Sequence, residues 1–136
     1  MVIVRRPSVS NPDWKTSTTD FIPDDGFVAV CQMVGFKIHE LHKRQGFWDR
    51  EQNMKEVALK IAHMHSELSE AYECARHGGK RPDKNILNYT GLEVQLADVL
   101  GILLDLTIAH GLRIPEALLH KMEFNKTREY LHGKEF

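Results

Sequence analysis

Glu67 and Glu70 stand one helical turn apart in HSELSEAYE, residues 65–73, beside an apolar rhythm. Asp98 and Asp105 lie in LADVLGILLDL, an almost wholly apolar stretch, with Gln95 just before it and Gly101 between the two aspartates. Glutamates at i and i+3, facing an aspartate from another helix, can chelate a hard divalent cation through oxygen. An aspartate among Leu, Ile and Val is unfavourable unless it is paired, hydrogen-bonded or bound to a metal. Lys121, Asn125 and Arg128 fall at i, i+4 and i+7. Two cations and an amide beside an acidic metal site suit a polyphosphate: the metal neutralises some phosphate oxygens and the basic residues take others. Each pattern also has a plainer reading. An ExxE spacing is common on solvated helices, the aspartates can pair with basic residues elsewhere, and a basic stripe can be a solvated face.

Helices must position these groups. Apolar residues at Phe27, Val30, Cys31, Val34, Ile38 and Leu41 predict a first helix, opened near Asp25 as cap and stopped at Gly46. A second is expected from about Glu51 to His77, with Val57, Ile61, Met64, Leu68, Ala71 and Ala75 as its stripe and Gly78-Gly79 as its end. Thr90 with Glu93 three residues on is a capping-box signature and opens a third helix that stops at Gly111. Pro115 suits the first turn of a fourth, expected to reach about Leu131. No segment alternates with period two long enough to make a strand. The expected fold is all-α: a four-helix antiparallel bundle over residues 26–136 with an extended N-terminal arm over residues 1–25. The arm, rich in Pro, Ser, Thr and Asp, carries Trp14 and Phe21, apolar enough to pack on a neighbour.

At about 100° per residue, the stripe of the second helix centres about 80–90° round from Glu67, and Glu70 lies about 60° to the other side. The carboxylates therefore flank the core, with Lys60, His63 and Cys74 near the same face. His63 can touch a phosphate or be a satisfied core-edge histidine. Trp48 can stack on a base or pack the end of the first helix. The remaining histidines show no ligand-like spacing.

The bulk properties fit one domain of 136 residues with a net charge of −1. That balance argues against a general nucleic-acid or membrane surface. No apolar run is long enough to span a bilayer, and MVIVRRPSV has too short an apolar stretch for a signal peptide. Cys31 and Cys74 lie far apart, in no metal spacing, and read as reduced thiols of a cytoplasmic protein.

Four segments, in order, resemble the MazG-like nucleotide pyrophosphohydrolases of the all-α NTP pyrophosphatase superfamily, particularly short single-domain members of phage type. RQGFWDREQN is similar to the segment after that family's first helix, KIAHMHSELSEAYE to its ExxE helix, VQLADVLGILLDL to its ExxD helix, and GLRIPEALLHKMEFNKTREYLHGK to its closing helix and basic tail. The resemblance covers roughly residues 27 to 134. It implies hydrolysis of nucleoside triphosphates, deoxynucleotides favoured, to the monophosphate and pyrophosphate with Mg²⁺ or Mn²⁺. It implies Glu67, Glu70 and Asp98 as catalytic metal ligands, and Lys121, Asn125 and Arg128 on the phosphate side. Asp105, Trp48 and His63 complete the expected nucleotide-binding set. The family's fourth acidic position is Gln95 here, whose amide oxygen can ligate weakly or indirectly but brings no charge. The resemblance, with the apolar stripes and the arm, implies a homodimer or homotetramer. Gln95 also keeps open a catalytically weakened nucleotide-binding or helical interaction protein. A plain structural bundle is the remaining alternative.

Overall fold

The computed structural model describes residues 24–50 and 53–128. They form α1 (Asp24–Arg44), α2 (Met54–Arg76), α3 (Gly91–Ala109) and α4 (Ile114–Lys126), with no strand among the described residues. The all-α expectation holds. The expected arm lies outside the described residues, except that positions 24 and 25 already belong to α1, so Asp25 is inside the helix and not its cap. Helix α2 starts behind Asn53, whose side chain accepts from the Lys55 N–H at 2.9 Å, later than the expected Glu51.

Three helix ends follow from glycine. At the end of α1, Gly46 has φ 81°, and the N–H groups of Gly46 and Phe47 return to the carbonyls of Lys43 and His42. This is a Schellman closure, in which a residue with positive φ satisfies the last carbonyls. It turns the chain so that Phe47 and Trp48 come back over the helix end. Gly78 and Gly111 close α2 and α3 with the same paired bonds. Thr90 caps α3 in a complete capping box: its hydroxyl accepts from the Glu93 N–H, and the Glu93 carboxylate accepts from the Thr90 N–H at 2.8 Å. Those bonds hold the Glu93 carboxyl below the usual glutamate range, the backbone bond first.

Helix α3, apolar nearly all round, is the central element, as such a pattern requires. It packs against both α2 and α1, and α4 packs on α1. Gly35 of α1 is buried against α3; a Cβ there would lie 2.9 Å from Ile108 Cγ1 and 3.1 Å from the Leu104 carbonyl oxygen. The core is small: Ala71, Ile102 and Leu106 are its fully buried apolar side chains. No helix of the described residues is long and apolar enough to cross a membrane.

The stripe expected on α2 is rotated. Ala71 is buried and Val57 and Met64 are half-buried, but Ile61 and Leu68 are each 45% exposed, while Lys60 and Glu67 face inward. The reason is that the inward face carries polar groups that line a cavity. Met54, Ile61 and Leu68 recur every seven residues and lie about 100–140° round α2 from Glu67. With Tyr72, and with Leu96 and Leu100 of α3, they leave an apolar face uncovered.

Candidate active site

Helices α2 and α3 run antiparallel, and their facing pairs step regularly along the interface. Cys74 meets Gly91, Gln95 Nε2 donates to Glu70 Oε2 at 2.8 Å, Glu67 and Asp98 line one cavity, and Lys60 approaches Asp105. The ExxE segment therefore lies against the Gln95–Asp98 segment. The cavity holding Glu67 and Asp98 has a volume of about 240 Å³. Gly101, Ile102, His42, Phe47, Lys60 and His63 line it as well. His63 Nε2 lies 2.9 Å from Glu67 Oε1. The space beside Gly101 is open: a Cβ there meets nothing within 4 Å. A neighbouring cavity of about 290 Å³ shares Phe47, Lys60 and His63 and continues to Arg50, Glu56 and Leu59.

Asp105 departs from expectation. It was expected beside Asp98, in contact with nucleotide. Instead its side chain is fully buried and lies behind the cavity wall. One carboxylate oxygen is 2.7 Å from His39 Nδ1 and the other 2.7 Å from His42 Nδ1. Trp48 Nε1–H donates to both, at 3.1 and 2.9 Å. Lys60 Nζ stands 4.0 Å away, over the Trp48 ring at 4.7 Å from its centroid. A buried charge is tolerable when its lone pairs are filled in this way.

Trp48 packs at the end of α1: its N–H donates to Asp105, and His39, His110 and Lys60 lie about its ring. Phe47, 55% exposed, is the aromatic ring that both cavities share.

The closing stripe is also placed differently. Helix α4 ends at Lys126, short of Leu131, which is outside the described residues, and Arg128 lies beyond the helix. Lys121 and Arg128 stand over Phe124, at 5.3 and 5.9 Å from its centroid, and both are exposed, as is Asn125. None of the three lines the cavity of Glu67 and Asp98. The basic side chains lining that cavity are Lys60, His42 and His63.

The chain matches no family model, no curated protein and no solved structure.

The oxygen donors near the cavity are these. Glu67 and Asp98 offer carboxylate oxygens from two helices into one cavity. Gln95 Oε1 is buried with no hydrogen-bond partner, an orphaned oxygen acceptor beside Glu70. Among the described residues, no three carboxylate, imidazole or thiol groups already converge as a cage. Glu70 must release Gln95 Nε2 to join one.

Sequence reasoning missed His39, His42 and the importance of Lys60. A signal was present. His39 and His42 are one turn apart and share a face, and an aspartate in an apolar helix needs partners of that kind.

Proposed function

We propose that the protein is a metal-dependent nucleoside triphosphate pyrophosphohydrolase, converting a (d)NTP and water to the monophosphate and pyrophosphate. The observation that carries this reading is one cavity lined by Lys60, His63 and Glu67 of α2, His42 of α1 and Asp98 of α3. Carboxylates alone would suit a cation, and basic groups alone an anion. Both in one small cavity suit a polyphosphate with its divalent ion. Mg²⁺ or Mn²⁺ would be held by Glu67 and Asp98, with Glu70 and, weakly, Gln95, and would neutralise phosphate charge and acidify water. Lys60 and His63 line the anionic ligand's path, and Phe47 gives the nucleoside an apolar contact in the adjoining cavity. Lys121, Asn125 and Arg128 would reach the phosphates only from a neighbouring copy or after α4 shifts.

The uncovered apolar face of α2 and α3 supports a homo-oligomer, since a soluble monomer rarely exposes so many large apolar side chains together. The free thiols of Cys31 and Cys74 suit a cytoplasmic setting.

The deciding experiment is pyrophosphate release from a panel of ribo- and deoxyribonucleoside triphosphates with Mg²⁺ and with Mn²⁺. Release that depends on the metal and on Glu67 supports the reading; none with any nucleotide overturns it. A second reading, a nucleotide-binding protein with weakened catalysis, is favoured by one observation: the neutral Gln95 occupies Glu70. It predicts a thermal shift with a non-hydrolysable nucleotide and Mn²⁺ but no pyrophosphate.

A further inference from the structure

We propose that His42 is the proton acceptor of the hydrolytic step, and that Asp105 is its positioning residue. The inference rests on the pyrophosphohydrolase reading and adds to it a role on α1, outside the carboxylate motifs. The Trp48 N–H, which can only donate, lies within 3.1 Å of both Asp105 oxygens. In the arrangement that fills both Asp105 oxygens from the groups around them, Trp48, His39 and His42 all donate. His42 then carries its hydrogen on Nδ1, 2.7 Å from Oδ2. In the neutral ring the lone pair is fixed on Nε2, at the edge turned away from Asp105. His42 lines the cavity of Glu67 and Asp98, and its side chain is 23% exposed.

His39 is bound in the same way but does not line that cavity, which is why the role falls to His42. The ring is held from the other side as well, by the edge of Phe47 with ring centroids 5.5 Å apart. A fixed tautomer, a fixed ring and partial access to ligand are what a general base needs. The groups facing it are Asp105 and Asp98 from α3, Lys60, His63 and Glu67 from α2, and His39 on its own helix.

In the step, the water oxygen forms a bond to the α-phosphorus while one water proton passes to His42 Nε2. The bond from the α-phosphorus to the bridging oxygen breaks, and its electron pair leaves on pyrophosphate. The proton then passes to solvent through the cavity mouth. Asp105 stabilises the transient imidazolium without taking its proton.

The test uses His42→Asn in the full chain, because the asparagine amide keeps a donor towards Asp105 and puts nothing at the Nε2 position. With Mg²⁺ and the best nucleotide of the panel, kcat is expected to fall roughly 100-fold or more. KM and melting temperature should change little, and the acidic limb of the wild-type pH–rate profile should disappear. Nitrogen-15 NMR of the wild type should show His42 with its hydrogen on Nδ1, and its Nε2 signal should move when an α,β-methylene nucleoside triphosphate and Mg²⁺ are added. An active wild type with an equally active His42→Asn overturns this inference alone, as does a hydrogen on Nε2 with Nδ1 bare. Should His42→Asn fail to fold, the NMR titration decides, and an unmoved Nε2 signal overturns the inference. A wild type that releases no pyrophosphate overturns the reading of function and this inference with it.

Discussion

Gln95 Nε2 donates to Glu70 Oε2 at 2.8 Å across the α2–α3 interface, while Gln95 Oε1 is buried with no partner. The amide thus takes the place of a charge-balancing group beside Glu70. Gln95→Glu would set two carboxylates within hydrogen-bond distance and lose the donor. The metal-free variant should therefore melt lower than the wild type, and Mn²⁺ or Mg²⁺ should raise its melting temperature more than that of the wild type. Differential scanning calorimetry with a metal titration checks both signs. A variant that is destabilised but gains nothing from metal would remove Glu70 and position 95 from the ligand set.

Asp105→Ala leaves two imidazole N–H groups and an indole N–H without their acceptor, and Lys60 without its nearest anion. Removing one partner of a buried charged network costs roughly 3–5 kcal/mol. Urea unfolding followed by far-ultraviolet circular dichroism measures the loss.

Gly101→Ala separates stability from function. No atom lies within 4 Å of the added Cβ, so the helix should gain about 0.5–1 kcal/mol from the better helix former. The same methyl group would stand in the cavity of Glu67 and Asp98. The expected result is a higher melting temperature together with weaker nucleotide binding by isothermal titration. Unchanged binding would place the ligand elsewhere.

Leu68→Asp addresses the uncovered face of α2. Leu68 is 45% exposed and shares that face with Ile61 and Tyr72. If a second copy covers it, light scattering should give more than one chain for the wild type at micromolar concentration and a smaller mass for the variant. A wild-type monomer would show that the face stays open.

Glu93 gives a pH signature. Its folded carboxyl is held below the usual range by the Thr90 bonds. A lowered folded pKa contributes stability above the ordinary value that is lost as pH falls through the folded one. The melting-temperature gap between the wild type and Glu93→Ala should be open at neutral pH and close in acid below the ordinary glutamate range. Near pH 7, Thr90→Ala should cost about 1 kcal/mol, as lost caps do.

The helices were legible because their signals are local. Gly46, Gly78, Gly111, Thr90 and Pro115 act through their own backbone or that of near neighbours, and each stands where the spacing put it. Glu67 and Asp98 line one cavity, which the order of their helices in the sequence allows. Asp105 was legible only as a residue in need of partners. Which partners depends on how α1 docks on α3, and that is fixed by the close approach at Gly35, a long-range packing fact that no local period encodes. The rotation of α2 was hidden for a similar reason. Its apolar residues span more than one face, and sequence periodicity does not say which part is covered within the chain and which is left over.

The bonds of the Asp105 hub connect residues 57 to 66 positions apart in the chain. During synthesis, His39, His42 and Trp48 therefore emerge well before the carboxylate that will organise them. Until then they are ordinary solvated rings, and none needs a buried partner. Asp105 arrives last, on the most apolar helix, when its donors already exist. Closing so long a loop costs entropy before any bond forms, so the hub belongs to the late, cooperative part of folding. A nascent or partly unfolded chain would thus lack the ordered His42 ring while keeping its individual helices, and the cavity chemistry would appear only in the fully docked fold.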